Sequence, residues 1–226
     1  MMERYSCNRN SLTEQDQEKL ADRRVLVVGC GGLGGYVTEL LARVGVGRLT
    51  IVDGDVFEEL NLNRQLFCTT ETIGKSKATA AKERVFAVNP LVTCEAISEF
   101  LTGENADRLL EGHDIAVDAL DNADTRALLL EAAAKAGIPL IHGAIAGFQG
   151  RVSVIYPGDA TSALLSGGHS RGIEQETGNL CFTASCVASI QAAETVKCLL
   201  SKGRLCRNRT IEVDLQGGVF ESISFS

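Results

Sequence analysis

A short apolar run, Arg24-Val25-Leu26-Val27-Val28, opens directly into Gly29-Cys30-Gly31-Gly32-Leu33-Gly34, and no other feature restricts the fold of this chain so much. β-Branched residues unrelieved by polar ones suit a parallel strand buried on both faces. The G-x-G-x-x-G loop lets the backbone turn tightly and brings phosphates against the N-terminus of the helix that follows. Leu33, Val37, Leu40, Leu41 and Val44 recur at helical spacing, Gly45 and Gly47 stop that helix, and Leu49 to Asp53 reads as a second strand. Asp53, 24 residues after Gly29, is placed to accept hydrogen bonds from ribose hydroxyls. The glycine loop and Asp53 serve NAD or ATP equally well.

The alternation continues. Ser76 to Val88 is helical in character and ends at Asn89-Pro90, Val92 to Ile97 is strand-like, and so is Asp114 to Leu120. Asp124 to Ala136 is an Ala- and Leu-rich helix closed by Gly137 and Pro139, and Leu140-Ile141-His142 begins the next strand. RVSVIYP after Gly150 alternates as a strand does, Thr183 to Leu200 returns to helix, and Thr210 to Asp214 and Val219 to Phe225 are short strands. Between them, Gly158 to Asn179 is polar, glycine-dotted and without period, which predicts a mobile crossover loop near 158–180. The expected fold is α/β, doubly wound and Rossmann-like, with a mostly parallel sheet and antiparallel C-terminal strands. A length of 226 residues suits one core, hence a single domain over 1–226.

The formal net charge of −7 disfavours a groove that tracks phosphate backbones, so nucleic acid is not expected as a partner. The start, MMERYSCNRNSLTEQDQEKL, has no apolar signal core, and no later run approaches the roughly 20 apolar residues that span a bilayer. A cytoplasmic protein without membrane contact is expected. Eight scattered cysteines include no C-x-x-C pair, which argues against disulfides and against structural zinc.

What separates the candidate nucleotides lies downstream: Asn61-Leu62-Asn63-Arg64-Gln65, then Gly74-Lys75-Ser76-Lys77, then Asp121-Asn122 with Arg126 four positions beyond Asn122. Together with the glycine loop and Asp53-Gly54-Asp55, this ordered set resembles the ThiF/MoeB/HesA adenylyltransferases, relatives of the ubiquitin-activating enzymes, over essentially the whole chain. The resemblance implies that Gly29, Gly31, Gly32 and Gly34 hold ATP and that Asp53 holds its ribose. It implies that Arg64 and Lys77 hold the triphosphate, that Asp121 holds Mg²⁺, and that Asp55, Asn61, Gln65 and Asn122 complete the nucleotide site. In such a family an arginine near the N-terminus reaches the phosphates of a partner subunit. Here that role falls to Arg9, with Arg4 in reserve, and implies a homodimer.

The chemistry suits these residue types. A carboxylate nucleophile is already ionised near neutral pH, so attack on the α-phosphate needs charge neutralisation and in-line positioning rather than a general base. The chain departs from many relatives in lacking their paired zinc ligands: Asp159-Ala160-Thr161-Ser162 stands where the first pair would lie. Cys181 and Cys186 lie out of register with a carrier-bonding cysteine, and neither is read as catalytic.

Plainer readings stand beside these. Arg64 and Lys77 suit solvated surface positions, Asp121-Asn122 suits a helix cap, and none of His113, His142 and His169 is read as catalytic. The expected activity is adenylylation of the C-terminal glycine of a ThiS- or MoaD-like, ubiquitin-like sulfur carrier ending in Gly-Gly, for thiamine or for a molybdenum/tungsten cofactor. The alternatives are adenylation of a small carboxylate or a modified tRNA base, a NAD-dependent oxidoreductase, and a nucleotide-binding module without turnover.

Overall fold

A computed structural model describes residues 2–162 and 177–225. The chain alternates strand and helix: α1 (Glu14–Ala21), β1 (Arg24–Val28), α2 (Gly32–Val44), β2 (Arg48–Val52), α3 (Lys77–Val88), β3 (Thr93–Ile97), α4 (Ala106–Leu110) and β4 (Ile115–Asp118). It continues with α5 (Ala123–Ala136), β5 (Leu140–Ala146), β6 (Gln149–Ile155), α6 (Cys181–Leu200), β7 (Arg209–Asp214) and β8 (Val219–Ser224). The strands form one eight-stranded sheet in the order β3-β2-β1-β4-β5-β6-β7-β8. Pairing is parallel from β3 to β5 and antiparallel from β5 to β8, as the sequence predicts.

The uninterrupted apolar character of β1 is explained by its position between β2 and β4, where both faces are covered. Val25 and Val27 join a cluster with Val37 and Leu41 of α2, Ala81 of α3 and Val187 of α6. Leu26 and Val28 point the other way, into a cluster with Leu109 of α4 and Leu129 of α5. The strand order reverses between β1 and β4: from β1 the chain runs outward to β2 and β3, then returns to β4 on the opposite side. Two neighbouring strands thus send their following segments in opposite directions, opening a crevice at their carboxyl ends where ligands bind in such sheets.

Boundaries differ from the expected ones in a few places. Asp118 ends β4 two residues before Leu120, because its carboxylate turns back to accept the Leu120 N–H at 3.0 Å. The α6 helix begins at Cys181 rather than Thr183. Among the described residues, α1 and α4 go beyond the elements expected from the sequence; α1 is eight residues long and is announced mainly by Thr13, whose hydroxyl accepts the Asp16 N–H in a capping box. Most of the crossover loop expected near 158–180 lies outside the described residues. Its near flank is held by Asp159, whose carboxylate takes both Nε and Nη2 of Arg207 at 2.8 to 3.1 Å, with the guanidinium 4.3 Å from the centre of the Tyr156 ring. Among the described residues, no helix is long and apolar enough to cross a membrane.

Candidate active site

Gly29 leaves β1 with φ +90 and donates its N–H to Val52 O at 2.8 Å, which fixes the start of the loop on β2. A Cβ on Gly34 would lie 1.9 Å from Gly29 O, so the first turn of α2 packs directly on the loop that precedes it. Gly31 is the N-cap of α2 and supplies no capping side chain, so the helix presents backbone N–H groups to an anion. The cleft above this turn has a volume of about 180 Å³ and is open to solvent; Gly29, Gly31 and Gly32 line it. Gly34 does not line it, and its glycine requirement is one of packing rather than phosphate contact.

On the β2 flank, Asp53 accepts the Cys30 N–H at 2.6 Å and the Asp55 N–H at 2.8 Å. Burial pushes the Asp53 carboxyl above its ordinary range, against the opposing effect of those two N–H groups and of the Lys77 ammonium. Lys77 begins α3 just after the N-cap Ser76, with its side chain only 9% exposed, and its Nζ sits 2.9 Å from Asp55 Oδ2. A buried ammonium aimed into a cleft and neutralised by a half-exposed carboxylate is a cation that an incoming phosphate can share. Phe100, after β3, lays its ring over Gly54, where a Cβ would meet ring atoms at 2.6 Å.

The Asn61–Gln65 segment forms a tight turn beside the glycine loop. Asn61 is buried and does not line the cleft; its Oδ1 accepts the Glu58 N–H at 3.0 Å and its carbonyl accepts the N–H groups of Arg64 and Gln65. That turn places Arg64 and Gln65 in the lining, with Arg64 Nη1 resting on Leu60 O and Asn63 Oδ1. Gln65 is 7% exposed, and its Oε1 meets no donor among the described residues.

Across the switch point, Asp121 and Asn122 follow β4. Asn122 caps α5 by accepting the Thr125 N–H at 2.8 Å, so the plainer reading holds for it even as it lines the cleft. Asp121 is exposed, lines the cleft and has no side-chain partner among the described residues. Its loop is nevertheless rigid. The Leu120 N–H is held by Asp118, and the Leu120 carbonyl accepts Nη2 and Nε of Arg126 at 2.7 and 3.1 Å. Behind it, Asp118 Oδ2 lies 2.7 Å from His142 Nδ1, both side chains buried, and Gln191 Nε2 donates to Asp118 O at 2.8 Å. His142 is therefore a satisfied structural residue, as expected.

The cleft gathers Asp53, Asp55, Arg64, Gln65, Lys77, Asp121 and Asn122 from separate segments of the chain. Arg9 is not part of it within one chain. Arg4 donates to Asn89 Oδ1, and Asn89 Nδ2 in turn donates to Tyr5 Oη and Ala42 O, both at 2.8 Å. That bond ties Arg4 to its own subunit and weakens it as the reserve candidate. Sequence reasoning missed Phe100, Ile145 and Asn179 in the lining, and gave Arg126 no role although it marked the residue. A phenylalanine after a β-strand and a lone asparagine before a helix carry no local signal of a site. Among the described residues no group of three or more His, Cys, Asp or Glu side chains converges as a metal site, so any divalent cation here would draw most of its ligands from phosphate and water.

The chain matches the ThiF family over residues 5–225. It is 35% identical over 230 residues to the SAMP-activating enzyme E1 of Haloferax volcanii, covering 99% of this chain and 85% of that one. It is 40% identical over 200 residues to the sulfur carrier protein adenylyltransferase of Thermus thermophilus, covering 84% and 74%. Among solved structures, that of E. coli MccB with ATP superposes with a TM-score of 0.79 at 20% identity over 93% of this chain, which spans 66% of that one; this likeness concerns the fold.

Proposed function

The chain belongs to the ThiF family, and from that premise we propose that residues 1–226 act as one ATP-dependent adenylyltransferase domain, joining AMP to the C-terminal carboxylate of a small ubiquitin-like sulfur carrier that ends in Gly-Gly. The observation that carries the reading is the convergence on one open cleft of a glycine loop, an uncapped helix N-terminus, Arg64, Lys77 and Asp121, which has no side-chain partner among the described residues. This is a site for a polyphosphate whose charge must be neutralised, and it contains no activated nucleophile of its own. Among its lining residues there is no Ser–His or Cys–His pair.

In this reading a carrier carboxylate oxygen attacks the α-phosphorus, the bond to the bridging oxygen breaks, and pyrophosphate leaves, giving an acyl adenylate. No proton has to be removed, because the nucleophile is already an anion. Asp53 accepts from the ribose, the amides at Gly31 and Gly32 receive phosphate oxygens, and Arg64 and Lys77 take up the charge that gathers on the departing pyrophosphate. Mg²⁺ fits Asp121, an exposed carboxylate with a free coordination face, and would supply Lewis-acid neutralisation of the phosphates. Asn122 caps α5 and holds Asp121 at the head of that helix. A homodimer in which Arg9 approaches the partner's phosphates belongs to the same proposal, as does a cytoplasmic setting, supported by cysteines that are all free among the described residues. The stretch near 158–180 is assigned to guiding the carrier's tail; its deletion should abolish carrier activation while leaving Mg-ATP binding intact.

Calorimetric titration with Mg-ATP and separately with NAD tests the nucleotide assignment on the native chain and on Arg64→Ala and Asp121→Ala. The expected outcome is Mg-ATP binding weakened by both substitutions and no heat from NAD. NAD binding indifferent to both would make this a dehydrogenase-like protein instead.

A further inference from the structure

Asn179 combines a fixed backbone with an unengaged side chain. It stands just before α6, where residue 179 bridges to Gly147 at the end of β5, and the Gly147 N–H donates to Gly178 O at 2.8 Å. The Thr183 hydroxyl donates to Gly147 O at 2.8 Å and locks the same corner. The side chain lines the cleft beside Ile145, yet its Oδ1 is shielded from solvent and meets no donor among the described residues. A shielded amide oxygen without a donor is unfavourable and uncommon, and in a cleft it points to a ligand group that completes it.

The sheet order says which ligand this is. Asp53 and Phe100 follow β2 and β3, on one side of the glycine loop; Ile145 and Asn179 belong to β5 and its neighbour, on the other side. A nucleotide whose sugar lies at Asp53 and whose phosphates lie at the glycine loop leaves the β5 side to the molecule that brings the carboxylate. A free small acid would call for a cation there. Among the described residues the lining cations sit elsewhere, Arg64 against Leu60 O and Asn63 Oδ1, Lys77 against Asp55, and Arg126 after β4 against Leu120 O, while the β5 side offers the Asn179 amide and the apolar Ile145. That pair suits a peptide backbone.

We infer that Asn179 is a specificity-determining residue that pairs with the last peptide group of the carrier's tail, its Oδ1 accepting the N–H of the terminal residue. The inference rests on the adenylyltransferase reading. The amide turns readily about its last torsion, so the oxygen can meet a donor that arrives through the cleft. It makes the enzyme selective for carboxylates presented on a peptide, over free acids of the same charge.

The test uses ubiquitin-fold carriers encoded in the same genome that end in Gly-Gly, each compared with a semisynthetic copy ending in Gly-sarcosine, where an N-methyl group replaces the last N–H. ATP–pyrophosphate exchange should favour the Gly-Gly form by roughly tenfold or more with the native enzyme. Asn179→Val should lower exchange with Gly-Gly and shrink that preference severalfold, while Asn179→Asp, which keeps an acceptor of the same shape, should retain it. Mg-ATP affinity should be equal in all three proteins, which also shows that each is folded. An unchanged preference in Asn179→Val, or its loss in Asn179→Asp with Mg-ATP affinity intact, overturns the role of Asn179 and leaves the enzyme's activity standing. No exchange by the native enzyme with any Gly-Gly carrier overturns the activity itself.

Discussion

Around Asp53, two backbone N–H groups close on the carboxylate and Lys77 is paired with Asp55, whereas across the switch point Asp121 and Asn179 meet no side-chain partner among the described residues. The first flank is organised through contacts that also hold the fold together. The second is held in its backbone, through Asp118, Arg126 and Thr183, but leaves Asp121 and the Asn179 Oδ1 without a partner among the described residues. Substitutions on the first flank should therefore disturb stability and function together, and substitutions on the second should separate them.

The largest effect is expected from Gly34→Ala. Its added methyl would meet Gly29 O at 1.9 Å, a backbone atom that cannot move without dislodging β1, so a loss of about 3 kcal/mol in denaturant unfolding should accompany loss of Mg-ATP binding. Asp121→Ala should do the opposite: adenylylation down by about 10² to 10³, with stability changed by less than about 0.5 kcal/mol in the same unfolding measurement. A destabilisation of Asp121→Ala comparable to that of Gly34→Ala would erase the contrast. Arg126→Met sharpens it, because the guanidinium, itself in the cleft lining, holds Leu120 O and with it the loop that carries Asp121. A fall in kcat of roughly tenfold or more, with little change in KM for ATP, is expected from a misplaced Asp121 loop.

The smallest effect concerns pH. Burial raises the Asp53 carboxyl, so the folded chain binds that proton more readily than the unfolded one does. The unfavourable contribution of ionised Asp53 to stability is thus present at neutral pH and relieved as pH falls through the raised value. Nucleotide affinity, which needs the ionised form as an acceptor, should fall over the same window. Asp53→Asn should flatten this acid limb in a titration of Mg-ATP affinity. Glu39 and Asp159 run the other way: burial, the largest single influence, would raise them, but Arg84 and Arg43 together in one case, and Arg207 with the Tyr156 N–H in the other, lower them. Their support is lost as pH falls through the lowered values.

The same contrast governs what can be read from the sequence. Strands β1, β2 and β4 announce themselves because parallel strands covered on both faces must be apolar throughout, and Gly45 and Gly137, both left-handed at helix ends, mark where α2 and α5 stop. Arg64, Lys77 and Asp121 are legible because each is a charged residue at a fixed place in an ordered set of motifs, where packing alone asks for no charge. Asn61 belongs to the same set and reads as a nucleotide contact, but its side chain and carbonyl organise the turn that carries Arg64. Asn179 escapes notice because its significance is tertiary. It depends on the return of α6 to Gly147, 32 positions earlier in the chain, and on an amide that finds no partner there. The antiparallel strand β8, exposed along its whole length at the end of the sheet, is recognised by alternation alone and carries no such chemical signature.

The corner at Gly147 and the Asp159–Arg207 pair bracket the stretch between β6 and α6 like two hinge pins set in the frame. Closing a longer loop between fixed ends costs only about 0.6 kcal/mol for each doubling of its length. If that stretch guides the carrier as proposed, its length can therefore change at little cost in stability while the positions of Asp53, Arg64 and Lys77 stay set by the sheet.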